Sequence, residues 1–190
     1  MREVTLDTNC IIDLEEGRPN AFFIRALVAE HARGHVRLRL PAIAASENQP
    51  DGGVLTNFAQ FQARVERVGL GGVRLLQPPM RLDVTYLDFC VLADETMLDL
   101  ERRIQAVLHP AIEVEYAAYC AARGFNPETP LDRKWRNAKC DVLVAWSHIQ
   151  YQGDVLVTAD GEFHVQHKKD ALVALGAGLV VLPQDATAVV

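Results

Sequence analysis

The chain lacks paired cysteines, a long apolar run and a surplus of positive charge, and each absence narrows what it can be. Its four cysteines, Cys10, Cys90, Cys120 and Cys140, share no Cys-x-x-Cys spacing. They read as reduced thiols of a cytoplasmic protein, mostly placed in the core. No apolar stretch reaches the ~18 residues that argue a membrane span. The opening Met1-Arg2-Glu3-Val4 runs directly into a strand, without the apolar centre of a signal peptide. Low-complexity segments and internal repeats are also missing. The formal net charge of −6 argues against non-specific coating of nucleic acid, which is driven by phosphate neutralisation. It leaves a nuclease open, because acids that hold cations add negative charge while a local basic rim still engages phosphates.

What is present fits one domain. With 190 residues and 49% hydrophobic content, the chain can bury a core of ordinary size. Strand and helix patterns alternate, which predicts an α/β fold. Glu3 to Leu6 reads as a strand, followed by a short helix from Cys10 to Leu14 that stops near Gly17. Pro19 opens a second helix, with Phe23, Leu27 and Val28 at helical spacing. Val36, Leu38 and Leu40 alternate with arginines as a strand, and Ala42 to Asn48 begins a helix carrying Glu47. Phe58, Phe61, Val65 and Val68 mark one face of an amphipathic helix, and Val73 to Leu76 is a short strand. Asp94 caps a helix that ends before Pro110, and Ile112 to Ala122 forms another. Two helical pieces follow, the second over about 137–150 with Val142, Ala145, Trp146 and Ile149 inward. A strand at Val155 to Val157, a helix over Lys168 to Leu175 and a strand at Leu179 to Leu182 complete the pattern.

The chemistry is carried by acids at strand ends. Val4-Thr5-Leu6 delivers Asp7, Thr8 and Asn9, and Val155-Leu156-Val157 delivers Thr158 and Asp160. Ligands of open α/β sheets bind outside the carboxyl ends of the strands, so the two acids predict one acidic site at the rim of a parallel sheet. Asp141, read as lying near the start of its helix, and Glu47 are the further candidates. At an effective dielectric near 20, one pair of carboxylates at ~4 Å costs about 4 kcal/mol. A cluster of four therefore needs protons or a divalent cation, and oxygen-only ligands favour Mg²⁺ or Mn²⁺ over zinc.

These segments resemble the PIN-domain nucleases. Val4-Thr5-Leu6-Asp7-Thr8-Asn9 is similar to that family's opening motif, and Pro41 through Glu47 to the segment with its second acid. Asp141-Val142-Leu143-Val144-Ala145 resembles the third, and Val157-Thr158-Ala159-Asp160-Gly161-Glu162-Phe163 the closing motif. The resemblance covers roughly residues 1–50 and 135–183. The long separation of Glu47 from Asp141 departs from the small toxin members of the family.

The resemblance implies a three-layer α/β/α domain over residues 1–190 with a mostly parallel central sheet, enlarged by a longer helical insertion at about 49–130. It implies a Mg²⁺- or Mn²⁺-dependent endoribonuclease that hydrolyses phosphodiester bonds with metal-activated water, leaving a 5′-phosphate and a 3′-hydroxyl. Asp7, Glu47, Asp141 and Asp160 would be the metal-binding catalytic acids, with Asn9 and Thr158 orienting carboxylates or water. RNA would be the substrate; an antitoxin-type protein partner and a homo-oligomer are both compatible with it, and a membrane is not.

The basic stretch Arg133-Lys134-Trp135-Arg136 with Lys139 reads two ways: phosphate contacts with Trp135 stacking on a base, or a solvated helix face with one buried Trp. His164, His167, Lys168 and Lys169 form a second basic group, poor as a zinc site and better suited to phosphate or plain surface. Two other functions stand beside the nuclease: a phosphohydrolase acting on a small phosphate ester, and a PIN-like RNA-binding module without catalysis. A haloacid-dehalogenase-type enzyme would need an Asp where Asn9 stands.

Overall fold

The strands carry apolar residues at consecutive positions because helices cover both faces of the sheet. The computed structural model of the protein describes residues 1–46, 55, 57–128 and 130–190. Among these, β1 (Arg2–Leu6), β2 (Val36–Pro41), β3 (Arg74–Leu76), β4 (Val155–Val157) and β5 (Leu179–Val181) form one sheet in the order β3-β2-β1-β4-β5. Every pairing is parallel. Val4, Leu6, Val155 and Val157 pack on one face and Leu156 on the other, as alternation along a strand requires.

The helices α1 (Thr8–Glu16), α2 (Ala21–Ala32), α3 (Phe58–Arg67), α4 (Glu95–Leu108), α5 (Tyr116–Arg123), α6 (Arg133–Gln150), α7 (Gly161–His164), α8 (Gln166–Ala174) and α9 (Pro183–Ala186) divide between the faces. Ile11, Ile24, Leu27, Phe58 and Phe61 fill one side. Ile104, Leu108, Val142, Trp146 and Leu172 fill the other. The result is the α/β/α arrangement expected of the sequence. No described helix is long and apolar enough to cross a membrane.

Four expectations need correction. Residues 133–150 form a single helix, α6, capped by Asp132, whose side chain accepts from the amides of Lys134 and Trp135. Trp135 and Ala138 extend the buried stripe toward the helix start, and no Gly or Pro interrupts it. Asp141 therefore sits in the third turn, away from the positive end of the helix dipole. α5 begins at Tyr116 rather than Ile112, and the carbonyl of Glu113 receives the indole N–H of Trp135 at 2.9 Å. Ala42–Ser46 is a 3₁₀ helix with every residue buried. The stretch 49–130 is not wholly helical, since β3 lies within it and widens the sheet.

Two buried polar groups hold these layers in place. His148 of α6 reaches across to β1: its Nδ1 accepts from Thr5 Oγ1 at 2.8 Å while Nε2–H donates to the carbonyl of Ala177 at 2.7 Å. Burial pushes its pKa down to about 4, so it is neutral. Gly153 lies against this ring so closely that an added Cβ would stand 2.2 Å from two of its atoms. On the same side, Glu101 of α4 is fully buried and accepts from Lys139 Nζ at 2.8 Å and from the Arg81 guanidinium. One carboxylate thus joins the 81–108 region to α6.

Removing Glu101 should be costly. Glu101→Ala would leave two cations without their shared partner, and breaking a buried pair in this way costs about 3–5 kcal/mol. Urea unfolding at neutral pH measures it; a loss below about 1 kcal/mol would show that water replaces the carboxylate.

Candidate active site

Leu6 of β1 lies opposite Val157 of β4, so the next residue of each strand leaves the sheet at the same edge. Those residues are Asp7 and Thr158, joined by a hydrogen bond of 2.6 Å from the threonine hydroxyl to Asp7 Oδ2. Asn9 Nδ2 donates to the same oxygen at 2.6 Å and to Thr158 Oγ1 at 3.0 Å. Its Oδ1 accepts from the amide of Ala159 at 3.1 Å. Asp7 Oδ1 accepts from the Thr8 amide at 2.6 Å, which makes Asp7 the N-cap of α1. Asp160 repeats the arrangement as N-cap of α7, accepting from Glu162 N at 2.9 Å. Short polar residues are needed here because the first amides of each helix have no intrahelical acceptor.

Asp7, Asp141 and Asp160 line one open cleft of about 590 Å³ at this edge. Their electrostatics show that they feel one another. Burial is the main reason that the Asp7 carboxyl is pushed up to about 7, and the charges of Asp141 and Asp160 push further in the same direction. The hydrogen bonds from Thr158 and Thr8 oppose this and do not overcome it. Burial also raises Asp141, against the hydrogen bond from His109, with the Asp160 charge adding to the rise.

Several residues at the cleft carry no signal in the motifs. His109, just past the end of α4, brings Nε2 to 3.0 Å from Asp141 Oδ2. Asp13 is buried in the cleft wall and is held by Asn20 Nδ2 at 2.8 Å, with Arg18 beside it at 3.6 Å. Asp13 follows Asn9 by one helical turn on α1, and that spacing places both on the cleft side. His109 has no comparable signature, because its contact spans 32 positions of sequence.

The expected basic surface is only partly present. Arg133 and Lys134 are exposed, and Arg136 is half-buried. Trp135 is 5% exposed and is packed among Tyr116 and the second core, so it cannot stack on a base. Lys139 is buried on Glu101 and is likewise removed from any nucleic-acid surface. Glu162, Lys168 and His164 are engaged with the protein: Lys168 pairs with Glu162 and donates to the carbonyl of Leu108, and His164 Nε2 lies 2.9 Å from the carbonyl of Thr158. Glu47 lies outside the described residues.

The donor chemistry of the cleft suits a hard divalent cation, since every acid offers oxygen and no thiolate joins them. The spacing is less complete. Among the described residues no group of three His, Cys, Asp or Glu side chains is close enough to hold a metal ion together. Both oxygens of Asp7 already accept hydrogen bonds, so its ligation would exchange one of them. Comparison of the chain with protein-family models and with curated proteins gives no match to either.

The raised Asp7 pKa has a testable sign. In the fold the carboxyl keeps its proton to about pH 7, whereas the unfolded chain releases it near the ordinary 3.8. Its stabilising contribution is therefore full below 3.8 and is lost as pH rises through about 7. In EDTA, Asp7→Asn should gain on wild type as pH rises, by at most about 1.4 kcal/mol per pH unit. Paired thermal melts from acid to alkaline pH check this. A constant difference would mean that Asp7 ionises at its ordinary pH.

Proposed function

We propose that the protein is a divalent-metal-dependent nuclease of the PIN type that cuts RNA in the cytoplasm. The observation that carries this reading is the convergence of Asp7, Asp141 and Asp160 on one cleft, from two strand ends and a helix far apart in sequence. Charges on Asp141 and Asp160 that raise the pKa of Asp7, as Asp160 raises that of Asp141, oppose folding at neutral pH, so the placement of these acids is better explained by chemistry than by stability. The four reduced cysteines and the likeness of the acid-bearing segments to PIN motifs support the same reading.

Asp7, Asp141 and Asp160 are the residues that would hold the cation, with Glu47 as a further candidate. The chemistry a divalent cation supplies in such a centre is activation of water and charge stabilisation at phosphorus. The chain's own residues prepare for this. Thr158 and Asn9 fix the orientation of the Asp7 carboxylate, and His109 does the same for Asp141. Asp7 holds a proton at neutral pH that it must release on ligation, so cation binding should strengthen as pH rises through about 7. Arg18 lines the cleft and would meet a substrate phosphate by giving up its pairing with Glu16.

Two measurements decide. Wild type should cleave a mixed RNA pool in Mg²⁺ or Mn²⁺, and Asp7→Asn, Asp141→Asn and Asp160→Asn should each lose at least about 100-fold in single-turnover rate. In EDTA at neutral pH the same variants should melt no lower than wild type. Early unfolding with activity preserved per folded molecule would assign the acids a structural role. Hydrolysis of small phosphate esters with RNA left intact would favour the phosphohydrolase. Saturating Mg²⁺ should also raise the wild-type melting temperature, since a ligand at a hundredfold excess over its Kd adds about 2.7 kcal/mol. A small DNA-binding protein encoded beside this one would point to a toxin role with an antitoxin partner.

A further inference from the structure

A second cleft adjoins the acidic one, and Asp141 lines both. It measures about 740 Å³, within the ~300–1,000 Å³ range of pockets that take a small molecule. One wall is the turn after α4, where Pro110 and Ala111 are exposed and Ile112 is half-buried. The first two turns of α6 line it as well, with Arg133, Lys134 and Asn137 exposed. Neither Arg133 nor Lys134 forms an ion pair with a carboxylate among the described residues. The helix terminus itself is not the attraction, because Asp132 already occupies its amides. Asp132, Asp141, Glu162 and Lys168 line it too, and each is already engaged: Asp132 by the α6 amides, Asp141 by His109, and Glu162 and Lys168 by one another. The site therefore combines an apolar wall with two unpaired cations, and it shares Asp141 with the acidic cleft.

We propose that this second cleft is a nucleotide subsite of the same centre. It takes one nucleotide of a single-stranded nucleic acid beside the phosphate at the acids, with the base on Pro110 to Ile112 and a phosphate on Arg133 and Lys134. The placement rests on the nuclease reading, through the shared Asp141. Charge complementarity selects the occupant: a polyanion is drawn to the unpaired Arg133 and Lys134, and the apolar wall of the same cleft suits the flat face of a base. The wall belongs to the segment between α4 and α5, which gives that segment a role in choosing substrate. A duplex would present its bases stacked and paired, out of reach of this wall, so single strands are the fitting class.

Binding in EDTA isolates this cleft from metal-dependent cleavage. Fluorescence anisotropy with a short labelled single-stranded RNA, and with DNA of the same sequence, reads the affinity directly. Asn137→Trp fills the cleft from an exposed helical position, and Arg133→Glu with Lys134→Glu reverses its rim. Each should raise Kd by about tenfold or more, the size of one base or a few phosphate contacts. Arg103→Glu reverses one cation, half that charge change, at an exposed position outside the cleft lining and should leave Kd near that of wild type. Unchanged circular dichroism and melting temperature confirm that the variants fold. Saturable wild-type binding weakened by both cleft variants supports the subsite, and the tighter of RNA and DNA names its source. No saturable binding, equal binding by the cleft variants, or an equal loss with Arg103→Glu overturns it. Cleavage of the RNA pool is scored separately: binding that behaves as expected without any cleavage would retain the subsite and sink the nuclease reading.

Discussion

The parallel pairing of β1 with β4 places Leu6 beside Val157, and the chemistry at the sheet edge follows from that register. One residue further on, Asp7 and Thr158 leave the strands side by side, close enough for a 2.6 Å hydrogen bond. A slip of one residue would turn Asp7 to the opposite face and break the contact. Asn9 then bridges both partners from the first turn of α1, and Asp160 starts α7 two residues after Thr158. Four side chains at this edge thus depend on a pairing made by buried apolar strands.

The remaining acid depends on a different support. Asp141 is carried by α6, and α6 is tied to α4 by the buried Glu101, which accepts from Lys139. Because α4 is fixed in this way, His109 at its end arrives beside Asp141, and the turn after it forms the neighbouring cleft wall. The local charge distribution departs from the overall −6: Asp7 and Asp160 follow the strand ends, while Arg133 and Lys134 line the neighbouring cleft without an ion pair among the described residues.

The strands and the two strand-end acids were legible because an apolar run followed by an acid is a local pattern. Period and punctuation were enough to place all five strands of the sheet and most helices, with ends within a few residues. The start of α6 was not legible. Arg133, Lys134 and Arg136 surround Trp135 with charge, which conceals that Trp135, Ala138 and Val142 lie on one buried stripe. The same stretch shows why exposure cannot be read from residue type: Lys139 resembles its exposed neighbours in sequence, yet it is buried on a carboxylate 38 positions away. His109 was missed for a related reason, since a single contact between distant segments leaves no periodic trace. Asp13 was within reach, one turn from Asn9 on a helix already expected.

The packing of Gly153 against His148 has a consequence for how this chain can vary. The ring of His148 and the missing side chain of Gly153 occupy one volume, so the two positions are not independent. Alanine at 153 would collide with the imidazole, and its harm should shrink if 148 first becomes a smaller residue that gives up the bonds to Thr5 and Ala177. Each change alone is unfavourable, so a lineage would have to cross a less stable intermediate to reach the pair. The histidine and glycine should therefore be inherited together or lost together.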